Sequence, residues 1–212
     1  MKTKRYKIKE IYYTLQGEGY HTGRPAVFCR FAGCNLWTGR EEDRHKAICK
    51  FCDTDFWGTD GTNGGSYSSA ELADFIVTTF PPGQGKPFVV CTGGEPALQM
   101  DDELIRAFHH AGLEIAIETN GTIPLPNNID WVCVSPKADT EIVVQTGDEL
   151  KLVYPQPENH PAFYEHLNFR HYYLQPLDNE HQSRNIAETV AYCLKNPKWK
   201  LSLQTHKFIG ID

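Results

Sequence analysis

The feature that most constrains this chain is a repeated order, in which a short apolar run passes straight into a polar or glycine-rich cluster. Strand-like runs fall at about 7–15, 26–31, 88–91, 113–118, 131–134, 150–153, 172–174 and 199–203. Six clusters sit on their C-terminal sides: Gly33-Cys34-Asn35, Thr92-Gly93-Gly94-Glu95-Pro96, Glu118-Thr119-Asn120-Gly121-Thr122, Ser135-Pro136-Lys137, Gln175-Pro176-Leu177-Asp178 and Gln204-Thr205-His206-Lys207. Taken singly, each is ordinary turn chemistry. Together they predict the mouth of a mostly parallel sheet, the edge at which α/β folds and barrels bind their ligands.

Helical periodicity falls between several of the runs. Leu72, Phe75, Ile76 and Phe80 form a stripe behind the capping box Ser68-x-x-Glu71. Leu104, Ile105 and Phe108 form a second, with Asp101 and Asp102 in its first turn and Gly112 at its expected C-cap. Ile186, Val190, Cys193 and Leu194 form a third, stopped by Pro197. Alternating strands and helices predict an α/β fold. The stretches 58–69 and 80–87 read as loops rather than linkers, and no repeat appears, so one domain over 1–212 is expected.

The net charge of −6 and pI of 5.8 exclude the clustered basic surface that a nucleic-acid backbone binder needs. No uncharged run approaches the ~18 residues of a membrane span, and Met1-Lys2-Thr3-Lys4-Arg5 opens no secretory signal. The expectation is a globular, cytoplasmic protein with neither nucleic-acid nor membrane partners. Seven cysteines, an odd number in such a chain, speak for thiol, metal or cluster chemistry rather than disulfides.

Cys29, Cys91 and Cys133 lie within strand runs and Cys193 on a helix stripe, so all four read as small apolar packing residues. Cys34, Cys49 and Cys52 instead stand among glycine, charged and polar residues, spaced Cys-x14-Cys-x2-Cys. Three thiolates leave a tetrahedral zinc site one ligand short, to be completed by His45 or His21. They equally suit an iron–sulfur cluster that keeps one iron open to an outside ligand. The spacing alone leaves both open.

Gly33-Cys34-Asn35-Leu36, Cys49-Lys50-Phe51-Cys52-Asp53-Thr54 and Thr92-Gly93-Gly94-Glu95-Pro96 resemble the radical S-adenosylmethionine enzymes. Those enzymes usually space their cysteines Cys-x3-Cys-x2-Cys, whereas fourteen residues separate the first two here. Leu15-Gln16-Gly17-Glu18-Gly19, Cys52-Asp53-Thr54, Glu118 to Thr122, Ser135-Pro136-Lys137 and Leu203 to Lys207 are similar to one branch, the 7-carboxy-7-deazaguanine synthases, some of which have an enlarged cysteine loop. The resemblance runs from residue 15 to 212. It implies a modified partial (β/α) barrel with reduced helices, and the chain is indeed short against the ~250 residues of a full eight-fold barrel.

The resemblance implies conversion of 6-carboxy-5,6,7,8-tetrahydropterin to 7-carboxy-7-deazaguanine with release of ammonia, on the route to queuosine. It further implies a homodimer, reduced by flavodoxin or ferredoxin and requiring Mg2+. Cys34, Cys49 and Cys52 would hold a [4Fe-4S] cluster and Thr54 the Mg2+. Phe51, Cys52, Asp53, Gly94, Ser135, Pro136, Lys137, Gln175, Pro176, Leu177 and Asp178 would contact S-adenosylmethionine. Leu15, Gln16, Gly17, Arg30, Thr92, His206 and the terminal Asp212 would contact the pterin, Arg30 through its carboxylate. Glu118 and Asn120 stand at a strand mouth, in a position to support the cofactor. The rival readings are a glycyl-radical activating enzyme, which would leave Gln16-Gly17-Glu18 and Gln204-Thr205-His206 without a job, and a zinc-binding interaction module built on His45.

Overall fold

In the computed structural model, which describes residues 3–83 and 85–211, nine strands alternate with a few helices. The strands are β1 (Tyr6–Leu15), β2 (Pro25–Phe31), β3 (Gly65–Tyr67), β4 (Phe88–Gly93), β5 (Glu114–Thr119), β6 (Trp131–Val134), β7 (Thr146–Tyr154), β8 (Asn168–Pro176) and β9 (Trp199–Leu201). They form one sheet in the order β3-β1-β2-β4-β5-β6-β7-β8-β9. β1 pairs antiparallel with β2 and β3, and every pairing from β2 through to β9 is parallel.

Parallel neighbours require crossovers, and here only some of these are helical. Helices α1 (Ser69–Thr79) and α2 (Asp102–His110) lie before and after β4, and α3 (Gln182–Lys195) joins β8 to β9. Between β5 and β8 the crossovers carry only the 3-10 turn Pro161–Tyr164, and a last short helix, α4 (Thr205–Ile209), follows β9. The expected α/β architecture with reduced helices is what the chain adopts.

Local chemistry explains the helix boundaries. The Ser68 hydroxyl accepts from the Glu71 amide at 3.3 Å while the Glu71 carboxylate accepts from the Ser68 amide at 2.7 Å, completing the anticipated capping box. Asp101 caps α2 by accepting from the Leu104 amide at 3.0 Å, and Gly112, at φ +81°, follows the C-cap Ala111. The third stripe differs from expectation, because Leu194 is 81% exposed. α3 turns Asn185 and Thr189 inward instead, where Asn185 donates to the Leu177 carbonyl at 2.7 Å at the exit of β8. Satisfying that buried carbonyl rotates the apolar stripe to the helix's flank.

The two-residue strand period sorts each side chain onto a face. Val27, Cys29, Phe31, Val89, Cys91, Ile115 and Ile117 point outward into the main core beneath α1 and α2. On the opposite face, Ala26, Phe88, Val90 and Ala116 form a small apolar floor near the strands' beginnings. Two residues further along, the same face carries Arg30 paired in register with Thr92, and beyond them Glu118, Lys151 and Gln175. The inner face thus changes from apolar to charged toward the C-terminal strand ends. β3 was not anticipated; its three residues pair with Tyr6, Lys7 and Ile8 at a sheet edge, where the neighbouring strand rather than local propensity decides the conformation.

Candidate active site

A cavity of about 440 Å3 opens at the C-terminal strand ends, and all six clusters contribute to its wall. Of the residues singled out in the sequence, Leu15, Gln16, Gly17, Arg30, Cys34, Cys49, Phe51, Cys52, Asp53, Thr54, Thr92, Gly94, Ser135, Lys137, Gln175, Pro176, Leu177, Asp178 and His206 border it. Pro136 stands behind the wall, where its carbonyl accepts from Asn159 Nδ2 at 3.3 Å. Asp212 lies outside the described residues.

The fourteen-residue loop between Cys34 and Cys49 folds on a small core of its own. Trp37, Ala47 and Phe56 are buried against Cys34 and Cys52, and the Trp37 and Phe56 rings meet edge to face at 5.5 Å. Arg44 lies 4.1 Å over the Trp37 ring and donates to the carbonyls of Lys50 at 2.8 Å and Cys52 at 3.1 Å. Packing of this kind holds the two ends of the loop, and so the three thiols, around one corner of the cavity.

That corner suits thiolates. The Leu36 amide donates to Cys34 Sγ at 3.4 Å, and the Thr54 amide donates to Cys52. A hydrogen bond from the Cys49 thiol, assisted by the Thr54 amide and the Lys137 charge, brings the Cys52 thiol down to about 6, against the opposing effect of burial. Cys49 moves up correspondingly, by holding that shared proton and by burial. Among the described residues no group of three or more His, Cys, Asp or Glu is arranged to hold a single metal ion. His45 is exposed on the loop's far side and bonds the Glu42 carbonyl at 3.0 Å, while His21 borders a separate small cavity. The zinc reading therefore lacks its fourth ligand. A cubane fits better, since its cysteines bind separate irons and need not converge on one point.

The Gly93-Gly94-Glu95-Pro96 turn packs against the first cysteine as closely as backbone allows. A Cβ on Gly94 would lie 2.1 Å from the Gly33 carbonyl oxygen and 2.9 Å from Cys34 Cβ. Gly93, at φ +133°, could carry a Cβ only 2.3 Å from the Phe31 carbonyl oxygen. Glu95, fully buried, accepts from Ala97 N at 3.0 Å, Thr119 Oγ1 at 2.7 Å and Asn120 N at 2.7 Å, tying this turn to the end of β5. Gly94→Ala is expected to cost at least about 1–3 kcal/mol by overpacking and, by displacing Cys34, to lower the iron retained per chain. Iron retention equal to the wild type would show that the turn does not position the thiol.

The cavity also holds a charged residue that the sequence did not single out, Lys151, paired with two that lie in its motifs. Lys151, 5% exposed, bonds Glu18 at 2.5 Å and lies 3.5 Å from Glu118. Gln175 and Gln204 donate to the other Glu18 oxygen at 3.2 and 3.0 Å, and Gln16 donates to Glu118 at 3.0 Å. Burial is the largest effect on the Glu18 carboxyl and pushes it up, but Lys151, Gln204 and His206 together outweigh it and hold the group below its ordinary range. Gln175 Oε1 is buried without a partner among the described residues, leaving an acceptor available at the wall. No spacing rule could have found Lys151, which lies 133 residues from Glu18.

Arg30 is fixed by Glu10 at 2.7 Å and by the Tyr12 hydroxyl at 3.1 Å, so its guanidinium reaches the cavity in a set plane. At the rim Lys207 bonds Asp53 at 2.8 Å and Asp178 at 2.5 Å, joining the cysteine loop, the β8 exit and α4. The two terminal motifs also meet: Thr205 N and Oγ1 donate to the Gly17 carbonyl at 2.9 and 2.6 Å. A Cβ on Gly17 would lie 2.1 Å from His206 Nδ1.

No family model matches the chain. It is 58% identical to the 7-carboxy-7-deazaguanine synthase of Bradyrhizobium diazoefficiens over 207 residues, covering 97% of this chain and 99% of the relative. The synthase of the same name from Nitratidesulfovibrio vulgaris is 55% identical over 213 residues, with coverage of 97% and 99%. The crystal structure of QueE from Escherichia coli aligns at a TM-score of 0.74 with 29% identity, covering 95% of both chains. By these likenesses the chain belongs to the 7-carboxy-7-deazaguanine synthase family.

Proposed function

We propose that the cavity is the active site of a radical S-adenosylmethionine enzyme that converts 6-carboxy-5,6,7,8-tetrahydropterin to 7-carboxy-7-deazaguanine with release of ammonia. The observation that carries this reading is the gathering of three thiols and six strand-end clusters around one cavity, in a chain of this family. When bound, the reduced cluster and S-adenosylmethionine supply a carbon-centred radical able to take hydrogen from the carbon that bears the substrate's carboxylate.

Cys34, Cys49 and Cys52 hold the cluster in this reading, their corner shielded by Trp37 and Phe56. Lys137, bonded to Ser135 O and Oγ at 2.7 Å each, brings a positive charge beside them. Phe51, Asp53, Gly94 and the 175–178 turn frame S-adenosylmethionine, and Pro136 supports that frame from behind. Arg30 faces the pterin carboxylate, a paired contact that lysine could not reproduce. Gln16, Gly17, Thr92 and His206 define the pterin's remaining edges, and the network about Lys151 keeps the wall polar without admitting bulk water. Thr54 offers a neutral oxygen to Mg2+, a hard cation that completes its shell with substrate and water. Electrons come from reduced flavodoxin or ferredoxin, and the working unit is a homodimer.

The glycyl-radical alternative has no counterpart among these relatives, which are 7-carboxy-7-deazaguanine synthases at 55–58% identity over 97% of the chain. An anaerobic assay with dithionite, S-adenosylmethionine, Mg2+ and the carboxylated pterin tests the reading. The protein should be brown with roughly four irons per chain and should form the deazaguanine. A colourless, iron-free protein after reconstitution, or pterin left unconsumed, would overturn it.

A further inference from the structure

We infer that Asn159 is a positioning residue for the Ser135-Pro136-Lys137 turn. Asn159 is fully buried, in the irregular crossover between β7 and β8. Its Nδ2 donates to the Pro136 carbonyl at 3.3 Å, and its Oδ1 accepts from the Tyr164 hydroxyl at 2.5 Å. The Asn159 amide itself donates to the Gln156 carbonyl at 3.2 Å. Burying a primary amide costs free energy unless its bonds are made, and here donor and acceptor are both used.

The reason for placing an amide at this point lies in the topology. A parallel sheet normally backs the turn after each strand with a packed crossover helix. Between β6 and β8 the crossovers carry only the 3-10 turn Pro161–Tyr164, so the turn at 135–137 is followed by no α-helix of its own that could fix it by apolar packing. The turn is bonded internally by Lys137 Nζ to Ser135 and by Thr140 Oγ1 to the Lys137 carbonyl at 2.7 Å. On one side it is anchored to the sheet by the Ser135 amide, which donates to Thr119 O at 2.8 Å. On the other it is anchored by Asn159. The two tethers fix where the Lys137 ammonium stands relative to the thiol corner, so Asn159 acts on the cavity through Pro136 without bordering it.

The inference rests on the reading that this turn meets S-adenosylmethionine, and one arm of the test is independent of that reading. In the full chain without cofactors, Asn159→Asp removes the donor to Pro136 and keeps an acceptor for Tyr164. Exchange of the Ser135 amide, the turn's backbone donor to the sheet, should rise about three- to tenfold, the size expected for one lost hydrogen bond, while exchange in α1 and α2 stays as in the wild type. Tyr164→Phe, which removes one hydroxyl and keeps the side-chain volume, should shift the same amide in the same direction by a smaller factor. In the reconstituted enzyme, the KM for S-adenosylmethionine should rise with kcat within about twofold, the pattern of lost binding rather than lost chemistry. Exchange of the Ser135 amide unchanged in Tyr164→Phe, or a fall in kcat with KM unmoved, would overturn the inference. Faster local exchange in a protein whose wild type binds no S-adenosylmethionine would uphold the tether and refute the reading of the cavity.

Discussion

Replacing Cys34, Cys49 or Cys52 by alanine is expected to abolish cluster loading, taking iron from roughly four atoms per chain to background, whereas Cys29→Ala and Cys91→Ala keep it. The seven thiols divide on physical grounds. Cys29, Cys91 and Cys133 are at most 4% exposed within the sheet, where burial pushes their thiols far above the ordinary range and keeps them protonated and inert. Cys193, on α3, packs half-buried against the core around Leu174 and Trp199. Cys34, Cys49 and Cys52 border the cavity; Cys34 and Cys52 accept backbone amides, and Cys49 shares its proton with Cys52. Iron analysis and the visible absorption spectrum after anaerobic reconstitution check this. Equal iron in Cys34→Ala and Cys29→Ala would refute the division.

Lys151→Met is expected to be the most destabilising single change outside the apolar core. It leaves Glu18, buried beside Gln175 and Gln204, without its cation, and breaking a buried pair from one side costs about 3–5 kcal/mol. Glu18→Gln should cost less, since Lys151 keeps Glu118 at 3.5 Å. The pH dependence separates this from lost packing. In the wild type the Glu18 carboxyl lies below its reference value of 4.5, so its stabilisation is complete above that value and is lost as pH falls through the lower folded-state value. In Lys151→Met burial is opposed only by Gln204 and His206 and raises the group relative to the wild type, so its penalty is largest at neutral pH and is relieved as pH falls. Urea midpoints should therefore differ more between wild type and variant at pH 7 than at pH 5. A difference independent of pH would assign the loss to packing alone.

Much of the site was legible because parallel α/β architecture converts sequence order into position. Six clusters on the C-terminal sides of apolar runs had to arrive at one sheet edge once the strands were parallel, and they line one cavity. The three cysteines stood out by their polar setting, the capping box predicted α1, and strand alternation predicted β2, after which the cysteine loop begins. Leu194 misled because an apolar stripe does not reveal that a neighbouring carbonyl claims the helix's inner face. β3 was hidden because three residues gain strand conformation only from pairing with β1.

The sequence by itself determined which residues meet at the mouth, since strand direction and the two-residue period are local properties of the chain. Tertiary structure alone decided what supports them: Lys151 between Glu18 and Glu118, Lys207 between Asp53 and Asp178, and Asn159 behind Pro136. Those partners lie 23 to 154 residues apart. No periodicity operates over such separations, and the pairings become fixed only when the parallel sheet and the loops at its C-terminal edge bring those distant segments together.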